Sequence, residues 1–361
     1  MCERNGQAFA ALQAAQTLSP AARRGFLKSL SAGAAMVVLP MGMAAALGAA
    51  PARAAGRTTI KATHGAGLCN LGIFIAKQRQ LAKGDGVDLE FVVTPTNTDI
   101  VTLFGVGAVD MSMIPYSNFL SLYDAGAPVR VVAGGGVNGC LVVARDGIKS
   151  AADMKGKTLG TFQADTLEVL PYDWLKKAGL SFKDVKIRYF NTSPEMAQAF
   201  IGGAVDAICA VEPYATQTVA ARKGASVLSD GTDLYGPQYA DCVLAVRTPL
   251  LEKQPEVVRA VIKALLTAQQ QIETDRAGAL KETVGTYYKT TLEAATLASQ
   301  RQPVMIDQRN QTQFILERAK SMKEMGYLKK LPDARMFDWG PLEKVIAENQ
   351  AMFTGLKLKS A

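Results

Sequence analysis

Gly107-Ala108-Val109-Asp110 recurs as Gly203-Ala204-Val205-Asp206, and the surroundings recur with it. Each copy follows a helix-like run, 98–105 and 194–202, and precedes a short apolar strand, 111–114 and 207–211. Each strand leads to a Pro-Tyr pair, Pro115-Tyr116 and Pro213-Tyr214. A helical segment and a further strand follow, 129–133 and 225–228. Cys140-Leu-Val-Val-Ala-Arg145 then resembles Cys242-Val-Leu-Ala-Val-Arg247. Upstream, strands at 59–63 and 158–161 lead into loops, helical patterns at 70–82 and 166–178, and strands at 87–93 and 185–190. Each half therefore reads β-α-β-α-β-α-β. Alternation of this kind predicts an α/β protein with parallel-rich sheets covered by helices on both faces. Beyond Arg247 the pattern turns helical, at 255–275, 277–287, 292–299, 310–325 and 337–352.

The chain has 361 residues, 48% hydrophobic and 20% charged, which suits one large or two medium globular domains. It excludes disorder, a disulfide-dense mini-domain and a polytopic membrane protein. Half of the formal net charge of +8 sits in the first 54 residues, where Arg4, Arg23, Arg24, Lys28 and Arg53 face only Glu3. The basic balance is thus partly a property of the N-terminus and gives no support to nucleic-acid binding.

That N-terminus reads as an export signal. Arg23-Arg24-x-Phe26-Leu27-Lys28 resembles a twin-arginine motif, an uncharged Ala/Gly/Met stretch follows from 29 to about 50, and Ala52-Arg53-Ala54 is a small-x-small cleavage pattern. Residues 1–54 are therefore expected to be a signal peptide directing a folded chain to the periplasm. The remainder keeps Cys69, Cys140, Cys209 and Cys242. Their even number admits two disulfides or four buried thiols. A Cys140–Cys242 bond is the pairing to test, because the two occupy equivalent places in the repeat. With His64 the only histidine and no CxxC spacing, no metal site and no cofactor are expected.

In open α/β sheets ligands sit beyond the carboxyl ends of strands, where loops meet helix N-termini. Those loops are 64–70, 96–98 and 115–118 in the first half, and 163–166, 191–193 and 212–214 in the second. They contain no Lys or Arg. An anion there would be held by backbone N–H groups and hydroxyls at positive helix ends. Candidate contacts are Asn70, Thr96, Asn97, Tyr116 and Ser117 from one half, and Asp165, Thr166, Thr192, Glu212 and Tyr214 from the other. Many of these also read as helix caps or core residues. Glu212 beside such a cleft suits an ammonium group, which favours a zwitterion over a plain anion. Gly134-Gly135-Gly136-Val137-Asn138-Gly139 satisfies GxGxxG, but a strand follows it rather than the helix a dinucleotide fingerprint needs. The glycines instead suggest an unusual backbone path at a crossover.

Taken in order, Asn70-Leu-Gly-Ile-Phe-Ile-Ala-Lys77, both Gly-Ala-Val-Asp motifs, Ser150-Ala-Ala-Asp-Met-Lys-Gly-Lys-Thr-Leu-Gly160, Leu175-Lys-Lys-Ala-Gly-Leu180, Glu212-Pro-Tyr214 and Pro255-Glu-Val-Val258 resemble periplasmic substrate-binding proteins of ABC importers. The similarity is to the nitrate/sulfonate/taurine-binding group and its thiamin-precursor-binding relatives. It implies a type II-like two-lobed fold with two crossover strands: 55–139 plus 242–361 in lobe 1 and 140–241 in lobe 2. It implies a monomeric, non-enzymatic receptor that captures a small anionic or zwitterionic solute by hinge closure and hands it to ABC permease membrane subunits, with no nucleic-acid partner. The alternatives are a thiamin-precursor pyrimidine as ligand, or an enzyme like the fungal pyrimidine synthase of this fold family. The loop His64-Gly-Ala-Gly-Leu-Cys69 lacks the aromatic and proline content of the pyrimidine binders, and the synthase's clustered cysteines are missing.

Overall fold

The structure, a computed structural model, describes residues 57–360. The expected signal peptide, 1–54, lies outside the described residues. Among the described residues, ten strands form two sheets of five. The first contains β1 (Thr58–His64), β2 (Val87–Phe91), β3 (Met111–Pro115), β4 (Val129–Gly134) and β10 (Cys242–Arg247), in the order β2-β1-β3-β10-β4. The second contains β5 (Cys140–Ala144), β6 (Thr158–Thr161), β7 (Lys186–Tyr189), β8 (Ala207–Val211) and β9 (Ser226–Ser229), in the order β7-β6-β8-β5-β9.

The two sheets are built alike. β1 runs parallel to β2 and β3, as β6 does to β7 and β8. The remaining inner strand, β10 in one and β5 in the other, is antiparallel to both of its neighbours. The chain crosses between sheets twice, from β4 to β5 and from β9 to β10. All five residues of both β5 and β8 are buried, as their uninterrupted apolar runs require of strands covered on both faces.

The repeated Gly-Ala-Val-Asp has a structural role. Gly107 and Gly203 take positive φ, +77° and +82°, where the preceding helices end. Asp110 then accepts the N–H of Lys61 through Oδ2 at 2.9 Å, and Asp206 accepts that of Thr158 at 2.8 Å. Each carboxylate pins the start of one parallel strand to its neighbour. A charge-assisted bond of this kind contributes about 1.5–3 kcal/mol.

Helices α1 (Leu71–Gln78), α2 (Asn97–Val106) and α3 (Tyr116–Asp124) belong to the first half. Helices α4 (Thr166–Lys177), α5 (Ser193–Ile201), α6 (Tyr214–Ala221) and α7 (Thr232–Tyr235) belong to the second. The C-terminal part supplies α8 (Thr248–Lys253), α9 (Pro255–Thr274), α10 (Arg276–Thr283), α11 (Leu292–Ala298), α12 (Thr312–Glu324), α13 (Gly340–Glu348) and α14 (Gln350–Gly355). Helix α9 buries Val258, Val261, Ile262, Leu265 and Leu266 in the first sheet's core, along α1. Three helices differ from their sequence reading. The first stops at Gln78, because Gln80 takes φ +52°. The run at 277–287 ends at Thr283, where Val284 turns extended and Gly285 takes φ +84°. The run at 337–352 starts late and breaks at Asn349, whose φ of −128° and ψ of 40° end α13.

Helix α12 packs on both α3 and α4 and so ties the halves. The Arg318 guanidinium bonds Asp173 of α4 and lies 4.8 Å over the Tyr235 ring. The Ser321 hydroxyl donates to the same Asp173 at 2.7 Å, and Tyr235 donates its hydroxyl hydrogen to it at 2.8 Å. The four described cysteines are buried and free. The Cys140–Cys242 bond is not formed, because the Asp241 carboxylate stands between the sulfurs. Oδ1 lies 3.5 Å from Cys140 Sγ and Oδ2 lies 3.8 Å from Cys242 Sγ.

Candidate ligand-binding crevice

The carboxyl ends of the parallel strands in both sheets face a common crevice of about 40 Å³. The starts of four helices reach it, through Asn70 before α1, Asn97 of α2, Asp165 to Leu167 of α4, and Ser193 of α5. Gly65 to Gly67, Cys69, Pro115, Phe162 and Val211 line it, as do Asp241 and Cys242 at the second crossover. No Lys, Arg or His lines it. Its volume admits about three water molecules.

Direct bonds span the crevice. Asn97 Nδ2 donates to Asp165 Oδ2 at 2.8 Å, the Asn97 backbone N–H to Asn191 O at 3.2 Å, and Asn118 Nδ2 to Ala164 O at 3.0 Å. The backbone N–H of Leu68 donates to Glu212 O at 2.8 Å. The halves are thus closed on one another, and entry of a solute requires these bonds to open.

Two carboxylates give the crevice its electrostatic character. Asp165 caps α4, accepting from Leu167 N at 3.0 Å, and burial pushes its pKa up to about 6 against the lowering effect of that bond. Asp241 is buried and accepts from Thr166 Oγ1 at 3.0 Å and from Gln302 Nε2 at 2.7 Å. Burial raises its pKa as well. Two acidic groups without a cation among the lining residues favour a positively charged guest.

Of the residues singled out from sequence, Asn70, Asn97, Asp165 and Thr166 line the crevice together. Asn70 also braces its own loop: Nδ2 donates to Gly67 O at 3.2 Å, and Oδ1 accepts from Gly65 N at 3.2 Å. Thr96 is spent in a capping box with Asp99, and Thr192 caps α5 through Glu195 N. Tyr116 is buried against Phe314, and Ser117 is buried with a hydroxyl that has no partner among the described residues. The buried Tyr214 hydroxyl accepts from Lys289 N at 3.4 Å. None of these five lines the crevice.

Glu212 requires a correction. It is fully buried, and its oxygens accept from Thr216 N at 2.9 Å, Thr216 Oγ1 at 2.7 Å and Arg301 Nη1 at 3.3 Å. The carboxylate caps α6 and answers a cation contributed from beyond the predicted loops, so it is not offered to the crevice. His64 is also outside it: Nδ1 donates to Gly65 O at 2.9 Å, and the ring packs edge-on to Phe74 and Phe91, where burial lowers its pKa. The glycine run has a physical reason. A Cβ on Gly136 would lie 2.4 Å from Cys69 Cα, so these glycines allow the first crossover to pass against the crevice loop. Sequence reading missed Ser193, Asp241 and Cys242. For the last two, the available signal was their place at the head of the second crossover strand.

Residues 70–276, more than half of the chain, match the NMT1/THI5-like family. This chain belongs to that family. Over 216 residues it is 27% identical to a protein of Escherichia coli (strain K12) named for binding aliphatic sulfonates; the match covers 57% of this chain and 65% of that protein. The chain thus spans just under two thirds of that relative's length. Among solved structures, the periplasmic aliphatic sulphonate binding protein SsuA from Escherichia coli superposes with a TM-score of 0.67 at 22% identity, covering 78% of this chain and 92% of that one. The periplasmic nitrate-binding protein NrtA from Synechocystis PCC 6803 gives a TM-score of 0.69 at 15% identity, covering 84% and 92%. The fold is therefore that of the two-lobed periplasmic binding proteins.

Proposed function

We propose that this chain is the solute-binding component of an ABC importer. It is exported by the twin-arginine route, acts in the periplasm as a monomer, and delivers a small sulfonate-like zwitterion such as taurine to membrane permease subunits. Residues 55–139 with 242–361 form one lobe and 140–241 the other. The observation that carries this reading is the crevice at the carboxyl ends of both sheets, where four helix starts converge and Asn97 meets Asp165 across the gap.

The chemistry follows from that setting. The positive ends of the converging helices hold a sulfonate without a basic side chain. The guest's ammonium replaces Asn97 as the partner of Asp165, with Asp241 adding attraction. Asn70, Thr166 and Ser193 supply the neutral polar contacts. Closure is a hinge motion about the two crossovers. The solute shifts the equilibrium because it touches both lobes only when they are shut, and the permease reads that shut state. No reacting group is assigned, since the reading is that of a carrier.

The test is the melting temperature of the purified chain across a panel of sulfonates, taurine, nitrate, carboxylates and pyrimidines. A solute present at one hundred times its dissociation constant adds about 2.7 kcal/mol of stability. A clear shift with an amine-bearing sulfonate is expected. No shift with any small solute refutes the receptor reading.

A further inference from the structure

The crevice gathers two thiols that the solute-binding reading leaves unused, Cys69 and Cys242, beside the Asp241 carboxylate. Cys69 Sγ, an Asp241 carboxylate oxygen and Cys242 Sγ all lie within 4.8 Å of one another, and all three residues are buried. They come from separate places: the loop after β1, and the two residues at the head of β10. We infer that Cys69, Asp241 and Cys242 form a binding site for a thiophilic divalent cation of the zinc class.

The geometry is close to what such an ion needs. At a Zn–S length of about 2.3 Å and tetrahedral angles, two sulfur ligands stand about 3.8 Å apart. The observed spread therefore closes with movements of roughly an ångström or less. Two thiolates select a soft ion over Ca²⁺ or Mg²⁺. Three protein ligands leave one tetrahedral position for water, and all three residues line the crevice.

The surroundings hold the ligands in place. Thr166 Oγ1 and Gln302 Nε2 donate to the two Asp241 oxygens, at 3.0 and 2.7 Å. Asn70 Nδ2 donates to Cys69 Sγ at 3.2 Å. Outer hydrogen bonds of this kind orient metal ligands. Gly136 fixes the approach of the Cys69 backbone. A Cβ on Gly135 would meet Met113 Sδ at 2.4 Å and the carbonyl oxygens of Cys69 and Cys242 at 3.2 Å, so this glycine too keeps the crossover against the two cysteine backbones. The metal-free thiols are protonated, as burial dictates. Binding releases both thiol protons to solvent, and affinity rises with pH. The inference does not rest on the solute reading, and it revises the expectation from spacing that no metal site exists. The fold, not a contiguous motif, assembles the ligands.

The experiment is titration of the reduced, metal-free chain with Co²⁺, followed by displacement with Zn²⁺. The expected result is a thiolate-to-cobalt charge-transfer band and intense tetrahedral visible bands, saturating at one equivalent and bleached by one equivalent of Zn²⁺. Cys69→Ser and Cys242→Ser each remove the charge-transfer band or weaken binding by more than about 100-fold, beyond what outer-shell changes cost. Cys209→Ser, a buried thiol outside the cluster, leaves both unchanged. Asp241→Asn keeps both thiols and weakens Co²⁺ by at least about tenfold. It carries the test if a cysteine variant fails to fold, as judged by near-ultraviolet circular dichroism. Absence of a charge-transfer band in the parent chain overturns the inference. So does equal Co²⁺ binding by Cys69→Ser, or a Cys69–Cys242 disulfide found by peptide mapping of the unreduced protein. None of these results depends on which solute the chain carries.

Discussion

Asp165→Asn separates the electrostatic cost of the crevice from its packing. Asp165 is fully buried, caps α4 through Leu167 N, and has its pKa raised by burial to about 6, from 3.8. The folded chain therefore keeps this proton over a window in which the unfolded chain has lost it. The native state binds more protons there, so the contribution of Asp165 to stability falls as pH rises from about 4 to about 6, and its full cost persists above that. At about 1.36 kcal/mol per unit, the raised pKa corresponds to about 3 kcal/mol, an upper figure because Asp241 is coupled to it. Asparagine is neutral throughout, caps a helix as well as aspartate does, and can pair with Asn97 after an amide flip. The variant is thus expected to match the parent near pH 4 and to exceed it by up to about 3 kcal/mol near pH 7.5. Urea denaturation of both chains across this range measures the difference, in which groups common to both cancel. A difference that stays constant within about 0.5 kcal/mol from about pH 4 to 7.5 refutes the argument.

Glu212→Gln leaves the Arg301 cation facing an amide and costs about 1–3 kcal/mol of stability, with solute selectivity unchanged; denaturation and calorimetry together check this, and lost affinity at full stability would return Glu212 to the site. Arg318→Ala strips Asp173 of its cation at the α4–α12 contact and is expected to cost about 2 kcal/mol, less than a fully buried pair because both side chains keep some exposure; an unchanged denaturation midpoint contradicts it. Gly136→Ala drives a methyl group into the Cys69 backbone and is expected to cost about 3 kcal/mol, the top of the overpacking range; a melting temperature equal to the parent's would show that the crossover has room.

Inner strands such as β5 and β8 were legible as short apolar runs, and the repeat made the order of the more polar β2 and β7 legible too. Asp110 and Asp206 occur twice because each half needs its parallel strand pinned by the same carboxylate-to-amide bond. The crevice was legible as a set of loops at strand ends, which brought Asn70, Asn97, Asp165 and Thr166 forward. It was not legible as a set of pairs. Glu212 looked free because Arg301 lies 89 residues further on and meets it only in the folded chain. Asp241 sits at no helix start and in no motif. Its meeting with Thr166, Gln302 and the cysteines is a product of the second crossover. Helix ends misread at Gln80, Val284 and Asn349 reflect single backbone turns that apolar periodicity does not encode.

On the proposed function, the crevice closes on a small amine-bearing sulfonate. Isothermal titration of the purified chain with taurine, ethanesulfonate and nitrate tests it most directly. Taurine is expected to bind one-to-one, weakened at least about tenfold in Asp165→Asn for loss of the ammonium's partner, with ethanesulfonate and nitrate weaker in the parent and unchanged or stronger in the variant. Tight binding of nitrate or ethanesulfonate by the parent chain, with no heat from taurine, would contradict it.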